Sequence, residues 1–241
     1  MKTLKKISVL VIILSCSLLG KAQGFAQFNA QGAITEARIK DNGKNKTSVV
    51  EQIVGTGVDL KKIDFKYKLY SACTLEQPIE ADFTQAQNVK ISKQDESKNW
   101  TISVKQLKPA SLPFVLSFSD SNGSVYNSDV VGWATYGTDE TKPTVARFGD
   151  KNVSFYVAFD GVAKEVSYKL TAVGTVFDGK FLVEESADGK KWTVIAEYND
   201  KNTFEKDSEF TNQLSEDSRF VRWTYADRKK VNVNLNDISI R

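Results

Sequence analysis

Four residues around position 133 offer the chemistry of a ligand site. Trp133 and Tyr136 lie in Val130-Val131-Gly132-Trp133-Ala134-Thr135-Tyr136-Gly137, flanked by glycines and followed by a polar stretch, with Asp129 and Asp139 on either side. A ring held in a loop can stack on the apolar face of a pyranose while neighbouring carboxylates accept hydrogen bonds from its hydroxyls. These four residues are therefore the expected ligand contacts; the alternative is that Trp133 begins a core strand. Just upstream, Asp120-Ser121-Asn122-Gly123-Ser124 supplies one carboxylate before its glycine. Calcium takes about six to eight oxygens, so a hairpin turn explains this segment better than a metal site. No metal or cofactor is expected.

The chemistry that is missing narrows the function further. The 241 residues contain no histidine, which removes Ser-His-Asp and Cys-His nucleophilic catalysis and every His-containing zinc site. Glu184-Glu185 is the most visible carboxylate pair, the arrangement most glycosidases use. Neighbours on a strand point to opposite faces, so these two cannot flank one bond. There is no glycine-rich phosphate loop with its Lys-Ser/Thr. Cys73, in Leu69-Tyr70-Ser71-Ala72-Cys73-Thr74-Leu75, reads as a small apolar residue, because nothing beside it would activate a thiolate.

The N-terminus reads as an export signal over residues 1–22. Lys2, Lys5 and Lys6 form a basic start, Ile7 to Gly20 is an apolar run, and Gly20-Lys21-Ala22 supplies small residues before a cut. The run is short for crossing about 30 Å of hydrocarbon, and nothing else in the chain approaches a transmembrane segment. Cys16 lies inside the apolar run rather than after it, which argues against a lipid anchor there. The signal holds four of the 33 basic residues and none of the 30 acids, so the remainder carries 29 against 30, a net charge of −1 instead of +3. With charges of both signs interspersed, nucleic acid is not an expected partner. One cysteine remains, so no intrachain disulfide can form.

Positioning falls to β-strands. Ile63, Phe65, Tyr67 and Leu69 alternate with Asp64, Lys66 and Lys68, and the same period of two recurs in Trp100-Ile102-Val104, Val153-Phe155-Val157-Phe159, Val166-Tyr168-Leu170, Trp192-Val194-Ala196, Val231-Val233-Leu235 and Ile238-Ile240. By this parity Trp100, Trp192 and Trp223 belong to the core, and Arg222 and Thr224 face the other way. Asp160-Gly161, Asp178-Gly179 and Asp188-Gly189 are expected to close hairpins. No window carries a helical apolar stripe, so the expected class is all-β. Pro109 and Pro113 interrupt any ladder and suggest two domains, 23–108 and 109–241.

The stretch from Phe181 through Asp188-Gly189-Lys190-Lys191-Trp192, then Phe220-Val221-Arg222-Trp223, and the closing Asn232-Val233-Asn234-Leu235-Asn236-Asp237-Ile238-Ser239-Ile240 resemble the jelly-roll, galactose-binding-like domains of secreted Gram-negative surface proteins. More faintly, Val89-Lys90-Ile91-Ser92 and Trp100-Thr101-Ile102-Ser103-Val104 resemble their Ig-like spacers. The resemblance implies an Ig-like sandwich followed by a jelly-roll. Together with the missing catalytic motifs, it implies an exported, non-enzymatic protein of the periplasm, cell surface or medium that binds a polysaccharide or other glycan. The alternative is an interaction module docking another surface protein, and a carboxylate-dependent glycosidase stands third.

Overall fold

A computed structural model describes residues 22–117, 132–136, 145–174 and 176–241. Every regular element among them is a strand, so the chain is all-β. It divides into two compact units.

The first unit comprises 22–31, Ala37–Gln52 and Asp59–Val104. Its strands, the last two residues of β3 and of β7 being counted with the second unit, are β1 (Phe25–Ala30), β2 (Arg38–Lys40), β3 (Ser48–Val54), β4 (Phe65–Leu69), β5 (Thr74–Leu75), β6 (Gln87–Lys93) and β7 (Glu96–Gln106). β1 pairs with β4, and the others form a sheet in the order β2-β3-β7-β6-β5. Trp100 is buried as its parity predicts, with Phe25 edge-on at 5.4 Å between ring centroids. Gly24 lies so close to the Trp100 indole that a Cβ there would collide with the ring. Gln52 is also buried, and its Oε1 accepts a 2.7 Å hydrogen bond from the Ala30 amide, which answers the desolvation of both groups. The parity of β4 holds less well, since Tyr67 is 44% exposed.

The second unit comprises Gly32–Glu36, Ile53–Val58 and Lys105–Arg241. Its strands are β8 (Ala110–Ser111), β9 (Phe114–Leu116), β10 (Trp133–Tyr136), β11 (Ala146–Phe148), β12 (Val153–Asp160), β13 (Glu165–Val173), β14 (Lys180–Ser186), β15 (Thr193–Tyr198), β16 (Ser208–Gln213), β17 (Phe220–Asp227) and β18 (Asn232–Ile240). One sheet runs β10-β12-β17-β14-β15, with β8 alongside β12; the other runs β11-β18-β13-β16, with β9 alongside β18. Alternate residues of both sheets meet in one core, with Phe155, Trp223 and Phe181 from the first and Tyr168, Leu170 and Leu235 from the second.

This connectivity corrects the hairpin reading. Asp160-Gly161 and Asp178-Gly179 do not close hairpins, because they join β12 to β13 and β13 to β14, which lie in different sheets. Only Asp188-Gly189 stands between hydrogen-bonded neighbours, β14 and β15, where Gly189 takes φ +70°. Aspartate followed by glycine marks a reversal, but an arch between sheets needs one as much as a hairpin does. The segment after Pro109 behaves similarly: β8 pairs with β12 in one sheet and β9 with β18 in the other.

β12 departs from simple alternation because its outward residues Ser154, Tyr156 and Ala158 are buried too. Ala158 and Phe220 are covered by Ile34 and Leu107, a second, smaller apolar cluster of this unit.

Candidate functional site

The burial of Tyr156 leads to the outward face of the β10-β12-β17-β14-β15 sheet. Cross-strand pairing sets Ala134, Tyr156, Arg222 and Glu184 in one row, and Tyr136, Ser154, Thr224 and Leu182 in the next. Period-two alternation sends Phe155, Trp223 and Val183 inward, so Ser154, Tyr156, Arg222, Thr224, Leu182 and Glu184 must face away from the core.

Arg222 is the centre of the arrangement. Its Nε and Nη2 donate to Glu184 Oε2 and Oε1 at 2.8 and 2.6 Å, a bidentate fork for which guanidinium and carboxylate are matched. Thr224 Oγ1 donates to Glu184 Oε2 at 3.0 Å and lies 3.2 Å from Ser154 Oγ. The guanidinium carbon sits 4.1 Å from the centre of the Trp192 ring, and Tyr156 meets that indole edge-on at 5.8 Å. Burial raises the pKa of the Tyr156 hydroxyl, with the Arg222 charge opposing the shift.

Trp192 therefore overturns a sequence expectation. It is only partly buried and stands outside the main core, packed on Tyr156, Arg222 and Phe220. The reason is local: Trp192 precedes the first residue of β15, and a bulge between Val183 and Glu184 sets Val194 opposite outward-facing Glu184. Val194 is accordingly 48% exposed. Trp223, by contrast, is fully buried as predicted.

Trp133 and Tyr136 are the two ends of β10, with Val157 and Ser154 as their Cα partners. Position 136 thus belongs to the row beside Arg222, whereas position 133 has the opposite parity. Asp129 and Asp139 lie outside the described residues, as does the turn at Asp120-Ser121-Asn122-Gly123-Ser124. Sequence reasoning missed Arg222 and Glu184 as partners. Their signal was an arginine and a glutamate on outward parity, which becomes a site only once β17 is known to lie beside β14.

Glu184 is tied to Arg222 and Thr224, while Glu185 Oε2 accepts a 2.9 Å hydrogen bond from the Ser215 amide, so the adjacent pair serves two different neighbourhoods. Among the described residues no group of three His, Cys, Asp or Glu side chains could hold a metal ion. Among the described residues no helix is long and apolar enough to cross a membrane.

No family model matches the chain, and no curated protein does. Solved structures similar to it include a candidate glycoside hydrolase from Bacteroides thetaiotaomicron, at 12% identity over 92% of this chain and 97% of that one, with a TM-score of 0.47. The K2 adhesin domain of Lys-gingipain is similar at 15% identity over 53% of this chain and 98% of that one, TM-score 0.40. A family 6 carbohydrate-binding module from Clostridium cellulolyticum, solved with xylose, is similar at 16% identity over 55% and 99%, TM-score 0.30.

Proposed function

We propose that the protein is an exported, non-enzymatic binding protein whose second unit holds glycan on the outward face of the β10-β12-β17-β14-β15 sheet. The observation that carries this reading is the partly buried Trp192 indole, set against the Arg222 guanidinium, which Glu184 in turn holds in a bidentate fork. A sugar presents an apolar C–H face, and an indole held in place by a rigid charged pair answers it without reorganising on binding. By strand position Tyr136 would extend the site, whereas Trp133, of opposite parity on β10, would not.

The strand orders β11-β18-β13-β16 and β12-β17-β14-β15, in which successive strands mostly alternate between sheets, support a jelly-roll for this unit. For the first unit we infer an Ig-like spacer, supported by its seven strands in two sheets. Export rests on the basic start and apolar run of residues 1–22.

Affinity electrophoresis of the mature protein through gels containing neutral polysaccharides tests this reading. Trp192→Ala and Tyr136→Ala are expected to lose retention while keeping a cooperative melting transition. A wild-type protein retarded by no polysaccharide overturns the glycan reading. An envelope protein captured even in the presence of competing glycan would favour the docking alternative.

A further inference from the structure

At one end of the same sheet face the aromatic platform gives way to a cavity. Beyond the row of Tyr156, Arg222 and Glu184, strand pairing sets Ala158, Phe220 and Ser186 in the next one. Phe220 meets the Trp192 indole edge-on at 6.4 Å between ring centroids, and it also lines a cavity of about 400 Å³. That volume falls within the span of about 300–1,000 Å³ usual for small-molecule sites. Every residue lining the cavity belongs to the second unit. Exposed Pro109 and half-buried Val58 give it an apolar wall that a ligand can reach.

Four charged side chains border the cavity: Asp160, Asp188, Lys190 and Arg219. Their formal charges cancel, so it is biased towards neither a cation nor an anion. They differ in what they already hold. Asp188 Oδ1 accepts from the Lys191 and Lys190 amides at 2.9 and 2.8 Å and from Ser186 Oγ at 3.2 Å, and the two amides lower its pKa. This carboxylate is committed to its own turn. Arg219 Nη1 donates to the Glu216 and Ser218 carbonyls at 3.0 and 2.6 Å, which fix the guanidinium without neutralising it. Asp160 and Lys190 are exposed, and among the described residues neither side chain holds a hydrogen bond or an ion pair. Lys190 acts on Asp188 only through its charge at longer range. Opposite charges that border one cavity without pairing leave room for a group that bridges them.

We propose that this cavity is a second subsite for the same glycan, holding a neutral sugar residue of the chain that lies on Trp192. A sugar hydroxyl both donates and accepts. Asp160 is a free acceptor, Lys190 and the remaining N–H groups of Arg219 are free donors, and hydrogen bonds to charged groups are the stronger kind. The C–H groups of the ring lie against Pro109 and Val58. A uronate would set its carboxylate beside Asp160 and Asp188 as well as beside the two cations, and so gains no net attraction. The choice of a sugar rests on the reading proposed above; the cavity and its unpaired charges do not. Because Phe220 borders both places, one chain can engage the indole and the cavity together, and the second contact adds to the first without a second encounter.

Cellohexaose, xylohexaose, mannohexaose and hexagalacturonate, each added separately to ¹⁵N-labelled mature protein, test the subsite. At least one neutral hexasaccharide should shift the backbone amide signals of Thr56 and Ala187, which both border the cavity. The double variant Asp160→Ala with Lys190→Ala should bind that sugar about 10-fold or more weakly. Its melting temperature should match wild type, because neither side chain has a partner in the fold. Cavity signals that stay still while a sugar binds, or a double variant with wild-type affinity, would overturn the subsite and leave the Trp192 platform standing. So would tighter binding of hexagalacturonate than of every neutral sugar, or cavity signals that move with leucine and with no sugar, since the free charges would then serve an anion or a zwitterion. A wild-type protein that binds none of the four and is retarded by no polysaccharide would instead sink the glycan reading itself.

Discussion

Arg222→Leu should be one of the most damaging single changes in the second unit outside its core. The Glu184 and Arg222 side chains are only 9% and 20% exposed, so both charges have given up most of their water. Leucine removes both charge-assisted bonds and leaves the carboxylate with Thr224 alone. Breaking a buried pair from one side typically costs about 3–5 kcal/mol, because the remaining charge stays buried and uncompensated. At roughly 2–4 °C per kcal/mol for a chain of this size, the melting temperature falls by about 6–20 °C. The double change Glu184→Leu with Arg222→Leu leaves no charge behind and should lie within about 2 kcal/mol of wild type, despite losing the contact between guanidinium and indole. Urea unfolding followed by tryptophan fluorescence for wild type, both single variants and the double closes the cycle, provided the m-values agree. If the single and double variants unfold within about 0.5 kcal/mol of each other, the pair is not a buried charge pair and the rigid platform it supports does not exist.

Alkaline pH should weaken the fold through its tyrosines. Burial pushes Tyr198 and Tyr225 up to about 12, with the Asp178 charge adding to the effect at Tyr225. Each holds its proton more tightly folded than unfolded, so this stability is whole below about pH 10 and is lost as pH climbs from there to about 12. A denaturation midpoint that stays flat to pH 12, or an identical fall in Tyr198→Phe and Tyr225→Phe, would contradict this. Gly179→Ala should destabilise by about 1–3 kcal/mol through crowding, since a Cβ there would stand 2.5 Å from the Asp227 carbonyl oxygen and 2.8 Å from the Tyr225 ring. Gly43→Ala is the contrasting case, with open space around its Cβ and a cost of about 1 kcal/mol arising only from its φ of +85°. Urea midpoints of the two variants should therefore differ, and equal midpoints would refute the crowding argument.

What could be read from the sequence followed from what is local. The period of two gave the all-β class and buried Trp100 and Trp223, because apolar parity is decided within one strand. It failed at Trp192, where a bulge on β14 and a late start to β15 shift the parity. Two of the three hairpin signals failed for a related reason: the dipeptide Asp-Gly specifies a reversal, and only the packing of two sheets decides where the chain goes next. Arg222 and Glu184 are 38 residues apart and meet through strand pairing. A site on a sheet face takes every second residue from strands distant in sequence, so it leaves no motif. Asp-Gly turns and glycine-flanked rings draw the eye instead.

Around Arg222 nearly every polar group is matched inside the protein, so the cluster fixes an aromatic surface in place, and damage to it should reach stability and binding together. The double change Glu184→Leu with Arg222→Leu separates the two, because it removes the buried charges but also the guanidinium that holds the Trp192 ring. Its unfolding midpoint should return towards wild type while retention in the polysaccharide gel stays lost. A double variant that regains both would show that the indole needs no such support.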